Sequence, residues 1–139
     1  VNLTGVWLSL KYEVAHMPAH DGCTIVNLSS IYGLVGAAGT AAYTASKHAV
    51  AGLTRTAALD YAQHGIRLNA LSPCYIRTPM VESVLNARPE LEQWMVERTP
   101  LGRIGSPEEI GRVAVWLCSD AASYINGLIM PVDGGLTAQ

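Results

Sequence analysis

Two short β-type runs separated by one long helical stretch leave few folds open to this chain. Thr24-Ile25-Val26-Asn27-Leu28 is apolar enough for a strand buried on both faces. Residues 41–63 read as a single helix with eight alanines between Ala41 and Ala62, small enough for close approach to a sheet or a second subunit. Gly65 ends that helix, and Ile66-Arg67-Leu68-Asn69-Ala70-Leu71 reads as the next strand. A helical connection of this length makes the two strands parallel, with a right-handed crossover. Leu128 to Val132 reads as a last strand and Asp133-Gly134-Gly135 as a turn. The expected class is α/β, with about three strands of a doubly wound parallel sheet and helices on both faces.

Around this unit, residues from about Asn2 to His16 read as a helix, with Leu3, Val6, Trp7, Leu10 and Val14 at apolar helical spacing. Pro18 and the His-Asp-Gly of 20–22 end it. His16 and His20 have the spacing of a helical metal pair, but Pro18 lies between them and no third ligand appears, so no metal site is expected. Gly33, Gly36 and Gly39 do not form a G-x-G-x-x-G, and are read as small residues passing close to their neighbours. Ser106-Pro107-Glu108-Glu109 carries the signs of a helix start: a capping serine, proline at the first position and Glu109 to complete a capping box. That helix is expected to run to about Cys118, with Val113, Trp116 and Leu117 inward.

The chemistry-bearing stretch is Ser29 to Lys47. It opens on two serines at the end of the first strand and carries Tyr43 and Lys47 four residues apart on the long helix. That spacing puts phenol and ammonium on one face. A cation held beside a phenol favours the phenolate, which is how a tyrosine becomes an acid or base near neutrality. Lys11 and Lys47 are the only lysines, and no other tyrosine has a lysine four positions on.

Ser30, thirteen positions before Tyr43, and Tyr43-Thr44-Ala45-Ser46-Lys47 resemble the active-site signature of the short-chain dehydrogenase/reductases. Asn2, in Val1-Asn2-Leu3-Thr4-Gly5, matches the fourth member of that family's Asn-Ser-Tyr-Lys set. The resemblance covers nearly the whole chain, but only the second half of the usual Rossmann-like fold. It implies hydride transfer between NAD or NADP and a secondary alcohol or ketone. Tyr43 would be the acid/base, Lys47 would tune it and bind ribose, Ser30 would hold the substrate oxygen, and Asn2 would hold a relay water. Ser72 to Met80 resembles the family's Pro-Gly-x-x-x-Thr segment, which makes Pro73, Cys74, Ile76 and Thr78 cofactor contacts, with Cys74 where glycine is usual. The amphipathic stretch within about 79–105 would be a lid over the substrate, and the last strand and turn a subunit contact. A homo-oligomer, dimer or tetramer, is the implied assembly.

Each residue also has a plainer role open to it. Ser30 and Asn2 can be caps, the 72–80 stretch an ordinary exit loop, the 81–103 stretch a docking surface, and Tyr32 and Tyr75 pocket walls or packing. The G-x-S-x-G elbow of serine hydrolases is absent.

Composition sets the outer limits. A chain of 139 residues suggests one domain, yet only 14% of it is charged against a typical ~25%. A small domain this poor in charge reads as covered by partners or as part of something larger, and the start at Val1, inside a helix, favours a fragment. A truncated, inactive chain serving as an oligomerisation domain is therefore the alternative function. The net charge of −2 and the lack of a Lys/Arg cluster argue against nucleic acid or an anionic membrane as partner. No apolar run approaches the ~20 residues of a membrane span. Cys23, Cys74 and Cys118, odd in number and widely spaced, are expected as free, buried thiols in a reducing cytoplasm.

Overall fold

The computed structural model describes residues 1–18 and 22–138, so His20 of the histidine pair lies outside the described residues. The order is α1 (Thr4–His16), β1 (Thr24–Leu28), α2 (Ala41–Tyr61), β2 (Arg67–Pro73), α3 (Pro79–Ala87), α4 (Glu90–Arg98), α5 (Pro107–Cys118) and β3 (Ile129–Val132). Short 3-10 turns occupy Ile31–Gly33, Ala62–His64 and Asp120–Ala122. The strands form one parallel sheet in the order β1-β2-β3, with Thr24 opposite Arg67, Leu28 opposite Leu71 and Ala70 opposite Ile129. All three carboxyl ends therefore meet at one rim of the sheet.

β2 is the centre of the core because successive side chains point to opposite faces. Leu68 packs with Leu10, Ile25, Ala57 and Ala58 on the face covered by α1 and α2. Leu71 packs with Ile110 and Leu117 on the face covered by α5. Leu68, Leu71 and Leu117 are wholly buried, each contributing roughly 2 kcal/mol of apolar burial. Ala51 of α2 sits against Ala70, so the alanines do bring the helix close to the sheet.

Polar groups lock the crossovers. Gly65 takes a left-handed conformation (φ 74°) that ends the α2 region, a conformation costly for any residue with a Cβ. Ser106 and Glu109 form the full capping box at the start of α5. The Arg67 guanidinium donates to the carbonyls of Leu117, Ser119 and Ile125, tying the end of α5 to β2. Asn69 donates to Ile125 O and accepts from Leu128 N, while Asn126 accepts from Leu68 N and donates to Ala58 O. These two amides take the place of backbone where the chain enters β3.

Several expectations are corrected. β2 runs past Leu71 to Pro73; proline can take this last position because the next ladder donor is the Cys74 N–H, which reaches Val132 O. α1 begins at Thr4 and buries only Leu10, leaving Leu3 and Trp7 exposed, because little covers its outer face. On α5 the buried stripe runs through Ile110, Val113, Ala114 and Leu117, which turns Trp116 outward. Cys118 is exposed and Cys23 and Cys74 are half-buried, so the three free thiols are not all internal. Among the described residues no helix is long and apolar enough to cross a membrane.

Candidate active site

Ser30 is the residue with which the chain leaves β1 and caps the following 3-10 turn. Its Oγ accepts the Tyr32 N–H at 3.2 Å. The cap reading of Ser30 therefore holds, yet it uses a lone pair and not the hydroxyl proton, which remains to be donated. Tyr43 and Lys47 project from the first turns of α2. The Lys47 ammonium lies 5.7 Å from the centre of the Tyr43 ring.

Lys47 is held by the strand end. Its Nζ donates to Leu28 O at 2.9 Å. The Ser29 N–H of the same peptide donates to Leu71 O in β2, so in a trans peptide the Leu28 carbonyl faces away from the sheet, toward its open edge. Lys47 satisfies a carbonyl that no strand covers here. Burial pulls its pKa below the ordinary lysine value.

Ser29, 95% buried, donates from its Oγ to Lys47 O at 3.0 Å and clamps α2 to the strand end. Gly33 passes under the same joint: a Cβ there would sit 2.3 Å from Ser29 Oγ and 2.7 Å from Lys47 O. The small-residue reading is realised at Gly33, whereas a Cβ on Gly36 would meet nothing.

Beyond β2 the exit loop is pinned by a short parallel bridge between Ile76 and Gly105, with Arg77 N donating to Gly105 O and Gly105 N to Tyr75 O. Thr78 caps α3, its Oγ1 accepting Val81 N–H at 3.3 Å. Burial pushes the Cys74 thiol up to about 11, so it stays an uncharged SH at neutral pH. Arg77 pairs with Glu82 of α3 and Glu92 of α4, stapling both helices to the loop.

These segments close on one cleft of about 610 Å³, at the carboxyl rim where open parallel sheets bind ligands. Ser30, Tyr43 and Lys47 line one side and Pro73, Cys74, Ile76 and Thr78 the other. Asn2 is not among its lining residues. It lies in a second cleft, of about 650 Å³, between α1 and the open side of β1, and Lys47 lines both. Asn2 is not the cap of α1 either; Leu3 holds that position and no side chain caps it.

The sequence did not point to α5 as part of the site, yet Pro107, Ile110, Gly111 and Ala114 line the cleft. The signal was the small pair Gly111 and Ala114 flanking the buried Ile110. Ser29 and the Leu28 carbonyl were also invisible, since neither carries a motif. Among the described residues no group of three or more His, Cys, Asp or Glu is placed to hold a metal ion.

Residues 1–137 match a family model described as enoyl-(acyl carrier protein) reductase. The chain is 44% identical over 139 residues to 2,5-dichloro-2,5-cyclohexadiene-1,4-diol dehydrogenase of Sphingobium indicum, covering 99% of this chain and 56% of that one. It is 44% identical over 139 residues to cyclohexanol dehydrogenase of an Acinetobacter species, covering 100% and 53%. Among solved structures, a gluconate 5-dehydrogenase from Burkholderia cenocepacia in complex with NADP and tartrate superposes with a TM-score of 0.92 at 35% identity, covering 100% and 54%. The chain spans about half the length of the curated relatives it matches.

Proposed function

The chain belongs to the short-chain dehydrogenase/reductase family, and on that premise we propose that it is the catalytic, nicotinamide-side part of an NAD(P)-dependent oxidoreductase for a small, ring-shaped secondary alcohol or its ketone. The observation that carries this is the gathering of Ser30, Tyr43, Lys47 and the 73–78 loop on one cleft at the sheet's carboxyl rim. The ring-shaped substrate follows the relatives named for cyclohexanol and a cyclohexadiene diol.

The residues present suit the nicotinamide end of such a cofactor. Thr78 spends a lone pair on Val81 N–H, which leaves its hydroxyl proton free, and it would donate to a carboxamide oxygen of the cofactor. Pro73, Cys74 and Ile76 supply an uncharged wall beside it. When bound, the cofactor supplies or accepts the hydride at the substrate's carbinol carbon. Ser30 donates a hydrogen bond from its hydroxyl to the substrate oxygen and steadies the charge that develops there, keeping its own proton. Tyr43 gives that oxygen its proton in reduction and takes it back in oxidation. Lys47, anchored on Leu28 O, presents positive charge to the side of the phenol and would bind the ribose hydroxyls of the cofactor. Asn2 holds a water in the second cleft, which Lys47 also lines, so protons exchange with solvent through the lysine. The α3–α4 segment, within 79–105, is the lid, and the assembly is a homo-oligomer in a reducing cytoplasm.

Tyr43→Phe tests the reading. Turnover should fall by at least ~10²-fold while cofactor affinity is retained, because only the transferable proton is lost. Turnover near that of the parent protein would overturn the role given to the phenol.

A second reading draws on the open side of β1 and the exposed Leu3, Trp7 and Leu28. In it the chain acts only as an interaction module. Titrating NADPH into the chain separates the two: a saturable change in nicotinamide fluorescence supports the enzyme reading, and its absence from a folded chain supports the module.

A further inference from the structure

A line of aromatic contacts leads out of the site to α4. The Tyr32 ring meets the Tyr43 ring edge-on, with centroids 6.3 Å apart and planes 86° apart. The Tyr32 and Tyr75 hydroxyls stand 3.4 Å from one another. The Tyr75 ring in turn lies 5.7 Å from Trp94 of α4, and the Arg98 guanidinium sits 5.0 Å over that indole.

We propose that this line makes the orientation of Tyr43 depend on how α4 is seated, with Tyr32 as the positioning residue that passes the constraint on. The proposal rests on the reading of Tyr43 as the acid/base. Tyr43 is 41% exposed, so its own burial does not hold its ring. The cationic and aromatic contacts of its ring are with Lys47, committed to Leu28 O, and with Tyr32. Tyr32 begins one residue into a turn capped by Ser30, so the backbone of the line is fixed by the substrate-binding serine itself. Tyr75 belongs to the loop pinned on Gly105, and burial, then the Tyr32 hydroxyl, raises its pKa above the ordinary phenol value. It therefore remains a neutral phenol able to bond to Tyr32 throughout the working range. Trp94 is the ring of the line that sits on α4, with Arg98 of the same helix over it, and α4 is tied to the exit loop through the Arg77–Glu92 pair. A substrate that draws α4 inward moves Trp94, and Tyr75, Tyr32 and Tyr43 follow in turn. The acid/base is then aligned only over an occupied cleft, which matters because misplacement by about 1 Å can cost ~10²-fold in rate.

The test labels the ζ carbons of the six tyrosines and assigns Tyr43 by loss of its signal in Tyr43→Phe. Trp94→Ala and Tyr75→Phe should each shift the Tyr32 and Tyr43 resonances, and Trp94→Phe, which restores a ring, should return them toward the parent positions. Val84→Ala, on the exposed side of α3, should leave both unmoved. In steady-state assays Tyr75→Phe should lower kcat by roughly three- to ten-fold with KM changed by less than about two-fold, the mark of lost alignment. Tyr43 signals that stay in place in both Trp94→Ala and Tyr75→Phe would overturn the proposal; should Trp94→Ala fail to fold, Tyr75→Phe decides alone. Normal turnover in Tyr43→Phe would sink the acid/base reading without touching the ring shifts, so the two failures are distinguishable.

Discussion

Gly33 shows how much of this site depends on an atom that is not there. Replacing it with alanine drives a methyl group into Ser29 Oγ and Lys47 O and breaks the bond that clamps α2 to the end of β1. Gly33→Ala should cost about 1–3 kcal/mol by chemical denaturation, and at least ten-fold in turnover, because the clamp also places Lys47. The thiols offer a second check. Cys118 is exposed, whereas Cys74 is half-buried with its pKa raised to about 11, so iodoacetamide should modify Cys118 well before Cys74, as read by peptide mass. At this scale, Tyr43 and Lys47 were legible because one helical turn brings them together whatever the rest of the chain does. Ser30 was legible only through its distance from that pair. Ser29 was not, because its partner is 18 positions away and only the fold brings the two into contact.

Among the elements, α5 is fixed at both ends by side chains. At its far end Arg67 serves three carbonyls that would otherwise be left with few partners. Arg67→Met should lower stability by roughly 2–3 kcal/mol, seen as a lower urea midpoint with an unchanged slope. At its start the Glu109 carboxyl, held by Arg103 and the Ser106 N–H, has a pKa lowered from 4.5 to about 2. The unfolded chain thus binds this proton first. The stability Glu109 contributes is complete above pH 4.5 and is lost as pH falls toward about 2. Glu109→Gln should flatten the acid limb of Tm against pH in that window. The capping box was readable because its residues are three apart and their roles are local. The end of β2 was not, because Ser-Pro reads as a turn until pairing with β3 shows that the ladder continues through Pro73. Trp116 faces outward for a similar reason: helical spacing marks a stripe, and the neighbours decide its centre.

At the scale of the whole molecule, among the described residues β1 has a neighbour on one side only, and Leu28 at its end is 55% exposed. A strand edge left unpaired beside exposed apolar groups is a template for association. Sedimentation of the chain should show self-association that rises with concentration, and Leu28→Lys, which puts a charge at the exposed end of β1, should reduce it. The parallel three-stranded architecture was legible from the order of strand and helix, whereas the distribution of apolar surface was not, since composition counts residues without saying which face they occupy. The shared rim has one more consequence, in time. Each strand pairs with a partner that lies a full crossover away in the chain, so the cleft closes only after the longest loops have closed, whereas helices form from neighbours alone. Diluted from denaturant, the chain should recover its ellipticity early and, on the proposed function, nicotinamide binding late, and that lag marks the moment at which three separate exits first face the same guest.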